Sequence, residues 1–199
     1  MKTIVFATGN VNKAREIKEM LPNYNILTLS DIGFEDEIDE CADTTRGNAE
    51  IKVKTVLKFC EKNGLDYGVI GDDTGLFIDA LDGQPGVHSA RFGGYDHDQS
   101  MLRKYLLERM SGKTNRDAYF ECTIVYGDKN ITKAFEGRCY GKITTEEIGN
   151  TSFGYDCVFY SSELKKTFGE AEGNEKNSVS HRGRAIRLLI EFLNEYLEK

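Results

Sequence analysis

Two carboxylates stand side by side in "VIGDDTGL", where Asp72 and Asp73 follow an apolar run that is typical of a buried strand. Adjacent carboxylates at a strand end suit a hard cation such as Mg²⁺, which binds few carboxylates together with substrate phosphates. Asp-Asp-Thr-Gly is also favourable turn chemistry. The segment therefore predicts either a metal-assisted reaction or a polar turn.

The opening segment "IVFATGNVNK" predicts an anion site. A strand is followed at once by Thr8-Gly9-Asn10 and by the start of a helix. Backbone N–H groups at a helix start lack helical partners, and the helix dipole there favours negative charge. Lys13 adds a full positive charge. The alternative is an ordinary turn in which Asn10 or Asn12 caps the helix, since neither known glycine-rich phosphate motif is matched.

Further cations stand at unusual places. Lys52 borders the apolar face of its predicted helix, where it either extends into solvent or points into a cleft. Ser180 is a candidate N-cap, which puts His181 and Arg182 in a first helical turn, with Lys176 just upstream. Positive charge there opposes the helix dipole, a local cost that is typical of functional sites. The alternative is that both side chains point into water.

Two aromatic segments complete the candidates. "FGYDCVF" places Gly154 between aromatic residues and before Asp156, so it predicts a wall for a planar base. An alternating core strand would have the same sequence pattern. In "PGVHSARF" a Pro-Gly turn precedes Arg91, a side chain that can bind phosphate.

Composition excludes several classes of function. The formal net charge of −7 disfavours binding to nucleic-acid backbones. Five cysteines without a C-x-x-C pair indicate free thiols rather than disulfides or a zinc site. No apolar run approaches the roughly 18 residues of a membrane span, and the N-terminal run is too short for a signal peptide. We expect a cytoplasmic protein with no membrane or nucleic-acid partner.

Hydrophobic spacing predicts the elements that must position these residues. The predicted helices cover residues 12–21, about 48–62, 100–110 and 180–199. The predicted strands cover 2–7, 24–29 and 67–73, followed by two strands within 118–137 around a Gly-Asp-Lys-Asn turn. Helices early and late with a strand pair between them indicate an α/β fold around a mixed sheet, with ligands beyond the carboxyl ends of strands.

Together these segments resemble the inosine triphosphate pyrophosphatase family. The matching segments, in the family's order, are "ATGNVNK", "NAEIK", "GDDTGL", "PGVHSAR", "FGYD" and "EKNSVSHR". The resemblance implies a long mixed twisted sheet flanked by helices, in two lobes with a central substrate cleft, formed by a single domain of residues 1–199. It also implies a homodimer.

The resemblance also assigns roles to residues. Asp73 matches the general base, with Lys52 and Lys13 as further catalytic groups, and Glu40 and Asp73 match the ligands of Mg²⁺. Asp39-Glu40 stands where the family usually shows two glutamates. The residues that match the substrate-binding set are Thr8, Gly9, Asn10, Val11, Asn12, Lys13, Thr74, Arg91, Phe153, Gly154, Tyr155, Asp156, Lys176, His181 and Arg182.

Two of these segments depart from the family pattern. Thr74 replaces a usual serine and keeps the hydroxyl. Cys157 replaces the usual proline after "FGYD", which restores a backbone N–H and frees φ, so we expect a less rigid loop. We expect no chemistry from the Cys157 thiol.

The function implied by the resemblance is hydrolysis of non-standard purine nucleoside triphosphates (ITP, dITP and XTP) to the monophosphate and pyrophosphate. This removes them from the nucleotide pool. Arg182 only donates hydrogen bonds, so it favours a 6-oxo purine over adenine. Two alternatives remain open: a regulatory module that binds nucleotides without turnover, and a pyrophosphatase of modified pyrimidine nucleotides on a similar fold.

Overall fold

The computed structural model describes residues 2–95, 98–150 and 153–197. Its helices are α1 (Val11–Met20), α2 (Thr45–Lys62), α3 (Gln99–Arg109), α4 (Gly173–Val179) and α5 (His181–Leu197). Its strands are β1 (Thr3–Phe6), β2 (Asn25–Thr28), β3 (Gly68–Ile78), β4 (Pro85–Gly86), β5 (Asp117–Gly127), β6 (Thr132–Ile143), β7 (Phe159–Ser161) and β8 (Lys166–Thr167).

The strands form one mixed sheet in the order β2-β1-β3-β5-β6-β7-β8, with β4 beside β3. Strand β1 runs parallel to both β2 and β3, whereas the pairs β3–β4, β6–β7 and β7–β8 are antiparallel. The predicted α/β fold with a mixed sheet and flanking helices is therefore confirmed. No helix within the described ranges combines the length and apolarity that crossing a bilayer requires.

The chain divides into two compact units, and the first contains Met1–Asp73, Cys122–Glu136 and Ala185–Lys199. Successive residues of a strand point to opposite faces, and β1 shows this directly. Ile4 and Phe6 pack in a cluster with residues of α1 and α5. Val5 and Ala7 pack in a second cluster with residues of α2. In this unit the sheet therefore has α1 and α5 on one face and α2 on the other.

The second unit contains Thr74–Glu121 and Gly137–Arg184 and has its own core. Leu76 and Ile78 of β3 pack there with Leu102 and Leu106 of α3. The rings of Phe120, Phe159 and Phe168 form the aromatic part of this core. Helix α3 is thus held to the unit by the apolar face that its sequence predicts.

Three local predictions are wrong. Strand β3 does not end at the paired carboxylates but continues to Ile78, so the predicted turn at Asp72 and Asp73 is absent. Helix α2 begins at Thr45, three residues before the predicted start at 48, because the Thr44 hydroxyl accepts a hydrogen bond from Gly47 N at 3.0 Å. "FGYDCVF" contains a 3-10 turn, Asp156–Val158, before β7 rather than one alternating strand.

Candidate functional site

The paired carboxylates lie inside β3 and point to opposite faces of the sheet, as consecutive strand residues must. Asp72 faces α1, where its carboxylate forms an ion pair with the Lys13 ammonium. Its other oxygen accepts a hydrogen bond from Cys122 Sγ on β5 at 3.0 Å. Asp73 faces α2. Each aspartate is buried, so each depends on the partners of its own face.

On the α2 face, Lys52 is the centre of a group of three acceptors. Its Nζ lies 2.9 Å from Glu40 Oε2 and 3.4 Å from Asp73 Oδ1, and it donates to the backbone oxygen of Asp72 at 3.0 Å. The interpretation of Lys52 as a solvated side chain is therefore wrong, since the residue is buried. The two carboxylates predicted to bind metal, Glu40 and Asp73, converge on one ammonium.

Gly71 permits this approach of α2 to the strand. A Cβ atom at Gly71 would lie 2.6 Å from the backbone oxygen of Ala49 and 2.9 Å from Cγ2 of Val53. Both distances are too short for any side chain. The absence of a side chain at Gly71 thus lets the first half of α2 lie against β3, where Lys52 can reach Asp73.

Asn48 belongs to the same cluster and was not among the predicted site residues. Its side-chain nitrogen donates to Asp73 Oδ2 at 3.3 Å, and its oxygen accepts from the backbone N–H of Ala42 at 2.9 Å. It therefore connects the segment that carries Glu40 to the carboxylate of Asp73. The sequence did contain a signal, because Asn48 lies one helical turn before Lys52 and on the same face.

Burial and charge perturb both ends of the Lys52–Asp73 pair. Burial raises the pKa of Asp73 above the ordinary carboxyl value, although the Lys52 and Lys13 ammonium groups act in the opposite direction. Burial acts to lower the pKa of Lys52, but the carboxylates of Asp73 and Glu40 outweigh it and the net shift is upward. Lys52 is therefore a cation at neutral pH, and Asp73 is a stronger base than an exposed aspartate.

The donor set fits a hard divalent cation. Glu40 and Asp73 supply carboxylate oxygens, the ligand type that Mg²⁺ prefers. Among the residues that the structure describes, no group of three or more His, Cys, Asp or Glu side chains is arranged as a metal site. A pair of carboxylates such as Glu40 and Asp73 fits Mg²⁺ completed by substrate phosphates better than a metal caged by the protein alone.

The turn before α1 has the geometry of a capped helix start. Asn10 Oδ1 accepts from the backbone N–H of Asn12 at 3.0 Å and of Lys13 at 3.1 Å, and Thr8 Oγ1 accepts from Asn10 N at 3.1 Å. The alternative of Asn10 as a cap is thus confirmed. The expectation that these N–H groups lack partners is wrong, so an anion must displace the Asn10 side chain to reach two of them. Gly9 and Val11 are exposed beside them.

In the second unit, the segment from Phe153 to Asp156 is held by residues from other elements. Lys176 of α4 forms an ion pair with Asp156 at 2.7 Å, and its Nζ lies 5.0 Å from the centre of the Phe153 ring. The Tyr155 hydroxyl donates to the backbone oxygen of Ser89 at 2.7 Å. An aromatic residue thus lies beside a fixed charge pair, which suits a planar polar ligand.

The start of α5 is buried, contrary to the interpretation that its cations point into water. Ser180 Oγ accepts from the backbone N–H of Gly183 at 3.0 Å, which confirms the predicted N-cap. Arg182 Nη2 donates to Thr74 Oγ1 at 3.1 Å. The His181 ring stacks on Phe120 with a centroid separation of 4.6 Å. Arg182 and Thr74 are therefore in contact, although they are far apart in the sequence.

The remaining predicted residues have simpler settings. Arg91 is exposed in the 3-10 segment Ser89–Gly94, and its backbone N–H donates to the backbone oxygen of His88 at 3.0 Å. Burial raises the pKa of the Cys157 thiol, which keeps it protonated at neutral pH and agrees with the expectation of no chemistry there. All five cysteines are free thiols, as predicted.

The predicted site residues thus fall into two sets. The first unit contains the segment Thr8–Lys13 together with Glu40, Lys52 and Asp73, and the second contains Thr74, Arg91 and the residues from Phe153 to Arg182. Asp73 is the last residue of the first segment of the first unit, and the next residue, Thr74, begins the second unit. The central cleft that the resemblance implies stays a prediction.

The sequence profile of the Ham1 family matches residues 4–192, which include both sets. The chain belongs to the Ham1 family. A relative, the dITP/XTP pyrophosphatase of Flavobacterium psychrophilum, is 42% identical over 190 residues, covering 95% of this chain and 97% of that protein. The dITP/XTP pyrophosphatase of Clostridium perfringens is 39% identical over 204 residues and covers 100% of both chains.

Solved structures agree with this assignment. The Ham1 protein of Staphylococcus aureus superposes with a TM-score of 0.87 at 34% identity, covering 100% of each chain. The dITP/XTP pyrophosphatase of Mycobacterium abscessus gives a TM-score of 0.74 at 31% identity, covering 94% of this chain and 98% of its own. The family resemblance inferred from six short segments is confirmed.

Proposed function

We propose that this Ham1-family chain hydrolyses non-standard purine nucleoside triphosphates, among them ITP, dITP and XTP, to the nucleoside monophosphate and pyrophosphate. The observation that carries the proposal is the cluster of Glu40, Lys52 and Asp73, in which two carboxylates, one of them buried, contact one buried ammonium. Relatives that match nearly the whole chain are named dITP/XTP pyrophosphatases. A binding module without turnover has no need for a basic buried carboxylate.

Each residue of the cluster has a chemical role in this proposal. Glu40 and Asp73 would hold Mg²⁺, which when bound would supply positive charge against the phosphates and the departing pyrophosphate. Asp73 accepts the proton of the attacking water, a role that its raised pKa favours. Lys52 holds the two carboxylates close to each other. Together with Lys13, it stabilises negative charge as the bond between the α- and β-phosphates breaks.

Lys13 must leave its present partner before it can stabilise charge on the phosphates. Its ammonium is paired with Asp72, on the face of β3 opposite to Asp73. A polyphosphate approaching the turn at Thr8–Lys13 offers more negative charge than one carboxylate. In the proposed complex the turn binds the phosphates, with Gly9 permitting close approach and with Thr8, Asn10, Val11 and Asn12 contributing N–H or side-chain donors. Arg91 adds a charge-assisted contact to phosphate.

The second set would select the base. Phe153, Gly154 and Tyr155 form an apolar wall, while Asp156, Lys176, His181 and Thr74 supply polar contacts around it. The Arg182 guanidinium donates to the 6-oxo group of hypoxanthine or xanthine, whereas the 6-amino group of adenine would face a donor. An unpaired buried group costs about 1–3 kcal/mol, which corresponds to roughly 5- to 150-fold in kcat/KM.

We also propose that the protein acts as a homodimer in the cytoplasm. The support is the family resemblance and the free thiols, which suit a reducing compartment. Light scattering of the eluting protein measures the assembly directly, and a monomer at micromolar concentration would contradict the dimer.

The experiment is pyrophosphate release from a panel of purine and pyrimidine triphosphates, with Mg²⁺ or with a chelator. We expect rapid release from ITP, dITP and XTP, weak release from ATP and none without Mg²⁺. In Asp73→Asn, turnover should fall at least about 100-fold. Asp66→Asn is the matched control, because Asp66 forms an exposed pair with Lys129.

Two results would contradict the proposal. Equal kcat/KM for ATP and ITP would refute base selection by Arg182. Wild-type turnover in Asp73→Asn at saturating Mg²⁺ would refute the role of Asp73 as the base.

A further inference from the structure

Helix α3 carries none of the residues assigned to the site, yet it holds the loop proposed to contact the base. The backbone N–H of Gly154 donates to Gln99 Oε1 at 2.8 Å. The backbone oxygen of Gly154 accepts from Arg103 Nη1 at 3.0 Å. Gln99 and Arg103 are four residues apart and therefore on one face of the helix. Both polar groups of a single loop residue are thus bound to α3.

Arg103 is itself held in place. Its Nε donates to Glu147 Oε2 at 2.9 Å, and the residue is only 6% exposed. The guanidinium is planar and presents its donors in a rigid fork, so one side chain can fix two partners at a set distance. Its neighbours Leu102 and Leu106 anchor α3 in the core of the second unit. The loop is therefore fixed to a rigid element.

Gly154 has no side chain, so the contacts that hold it are those of its backbone. Its φ of +55° lies in the left-handed region, and no neighbouring atom lies within 4 Å of where a Cβ would be. Tyr155 and Asp156 have their own anchors, in Ser89 and Lys176. Cys157 follows, without the ring that would restrict φ. The stiffness of the loop at Gly154 thus comes from α3.

We infer that Gln99 and Arg103 are positioning residues that set the preference for the base by fixing Gly154 between Phe153 and Tyr155. The inference rests on the proposed function, because it takes Phe153–Asp156 as the wall for the base. Neither side chain acts on the reacting phosphates. Their loss should therefore weaken binding and selection of the base more than the chemical step.

The test compares Arg103→Met with Glu147→Gln. Both variants remove the ion pair between positions 103 and 147, but only Arg103→Met also removes the donor to Gly154. For Arg103→Met we expect KM for ITP to rise about 10-fold or more, with kcat changed less, and the ITP-to-ATP ratio of kcat/KM to fall about 10-fold. Glu147→Gln should keep that ratio within about twofold of the wild type. Arg103→Lys, with one donor group instead of a fork, should give an intermediate ratio.

A binding measurement separates this inference from the proposed function. Calorimetric titration with ITP and with ATP, in chelator so that no turnover occurs, reports selection of the base alone. Wild-type binding that prefers ITP without any pyrophosphate release with Mg²⁺ would refute the proposed reaction, and loss of the preference in Arg103→Met would still support the inference. Wild-type protein that binds neither nucleotide in chelator and releases no pyrophosphate with Mg²⁺ would overturn both.

Gln99→Met provides a second variant if Arg103→Met does not fold, because Gln99 is partly exposed and accepts only one hydrogen bond from the loop. Folded Arg103→Met or Gln99→Met protein that keeps the wild-type ITP-to-ATP ratio would overturn the inference. So would an equal loss of that ratio in Glu147→Gln, since the ion pair and not the contact to Gly154 would then be responsible.

Discussion

Replacing Lys52 by methionine removes one ammonium and keeps most of the volume of the side chain. In the structure this ammonium lies within hydrogen-bond distance of Glu40 and of the Asp72 backbone oxygen, and 3.4 Å from Asp73. Lys52 is 7% exposed and Asp73 is 5% exposed, so solvent cannot replace the lost charge. The substitution therefore leaves a buried carboxylate without its main counter-charge.

The expected loss of stability follows from this burial. Removing one partner of a buried ion pair typically costs about 3–5 kcal/mol. Glu40 is more exposed, so its pairing with Lys52 adds about 1 kcal/mol at most. The total loss is therefore about 3–6 kcal/mol. For a chain of this length each 1 kcal/mol lowers Tm by about 2–4 °C, which gives a decrease of about 6–24 °C. Because the pKa of Asp73 is already raised, protonation of Asp73 will limit the loss toward the lower end.

The assay is urea unfolding at neutral pH without divalent metal, supported by thermal unfolding. Lys54→Met is the matched control on the same helix, since Lys54 is 63% exposed and pairs with Glu50. Lys54→Met should change the free energy of unfolding by less than about 0.5 kcal/mol. The double variant Lys52→Met/Asp73→Asn should be more stable than Lys52→Met, because no buried charge is left unpaired.

Lys52→Met protein with a free energy of unfolding within about 0.5 kcal/mol of the wild type would refute the reasoning. A double variant no more stable than Lys52→Met would do the same. Either result would mean that Asp73 is accommodated without this ammonium.

Two further predictions test the fold of the first unit. Gly71→Ala places a methyl group against the backbone of α2. We expect the free energy of unfolding in urea to fall by about 1–3 kcal/mol, together with reduced turnover. Gly173→Ala is the control and should be near neutral, because a Cβ there meets nothing within 4 Å. Burial acts to raise the pKa of Asp128, but hydrogen bonds from Asn130, Tyr126 and other groups outweigh it and the net shift is downward. A carboxyl group whose pKa is lower in the folded than in the unfolded chain stabilises the fold at pH values above the unfolded-state pKa of about 3.9. This stabilisation is lost as the pH falls through the folded-state pKa. Asp128→Asn should therefore be about 1 kcal/mol less stable at pH 7, and the difference should shrink below about pH 4; a constant difference from pH 7 to pH 2 would contradict the assignment.

Elements encoded by local sequence were predicted well. The strand and helix that flank Thr8–Asn10 and the cap at Ser180 depend on residues within a few positions of each other. A cap bonds to the backbone two or three residues on, so its partners are visible in a short window of sequence. The predicted start of α2 lies three residues too late in the chain, because the cap at Thr44 precedes the apolar pattern of the helix.

The wrong predictions concern residues whose partners are distant in the sequence. The apolar run before Asp72 and Asp73 predicts a strand that ends at these two carboxylates. Lys13 lies 59 positions before Asp72, and Lys52 lies 21 positions before Asp73. Only the folded chain brings these lysines to the strand. The contact of Asn48 with Asp73 is hidden for the same reason, since the two residues are 25 positions apart.

Strand β3 carries Asp72 and Asp73 as consecutive residues, each with a lysine from a different helix. Inserting or deleting a single residue earlier in the strand would turn each acid to the opposite face of the sheet, away from its own lysine. Only a change of two residues would restore the original faces. Functional homologues should therefore differ in the number of residues between the start of β3 and this acidic dipeptide only by an even number.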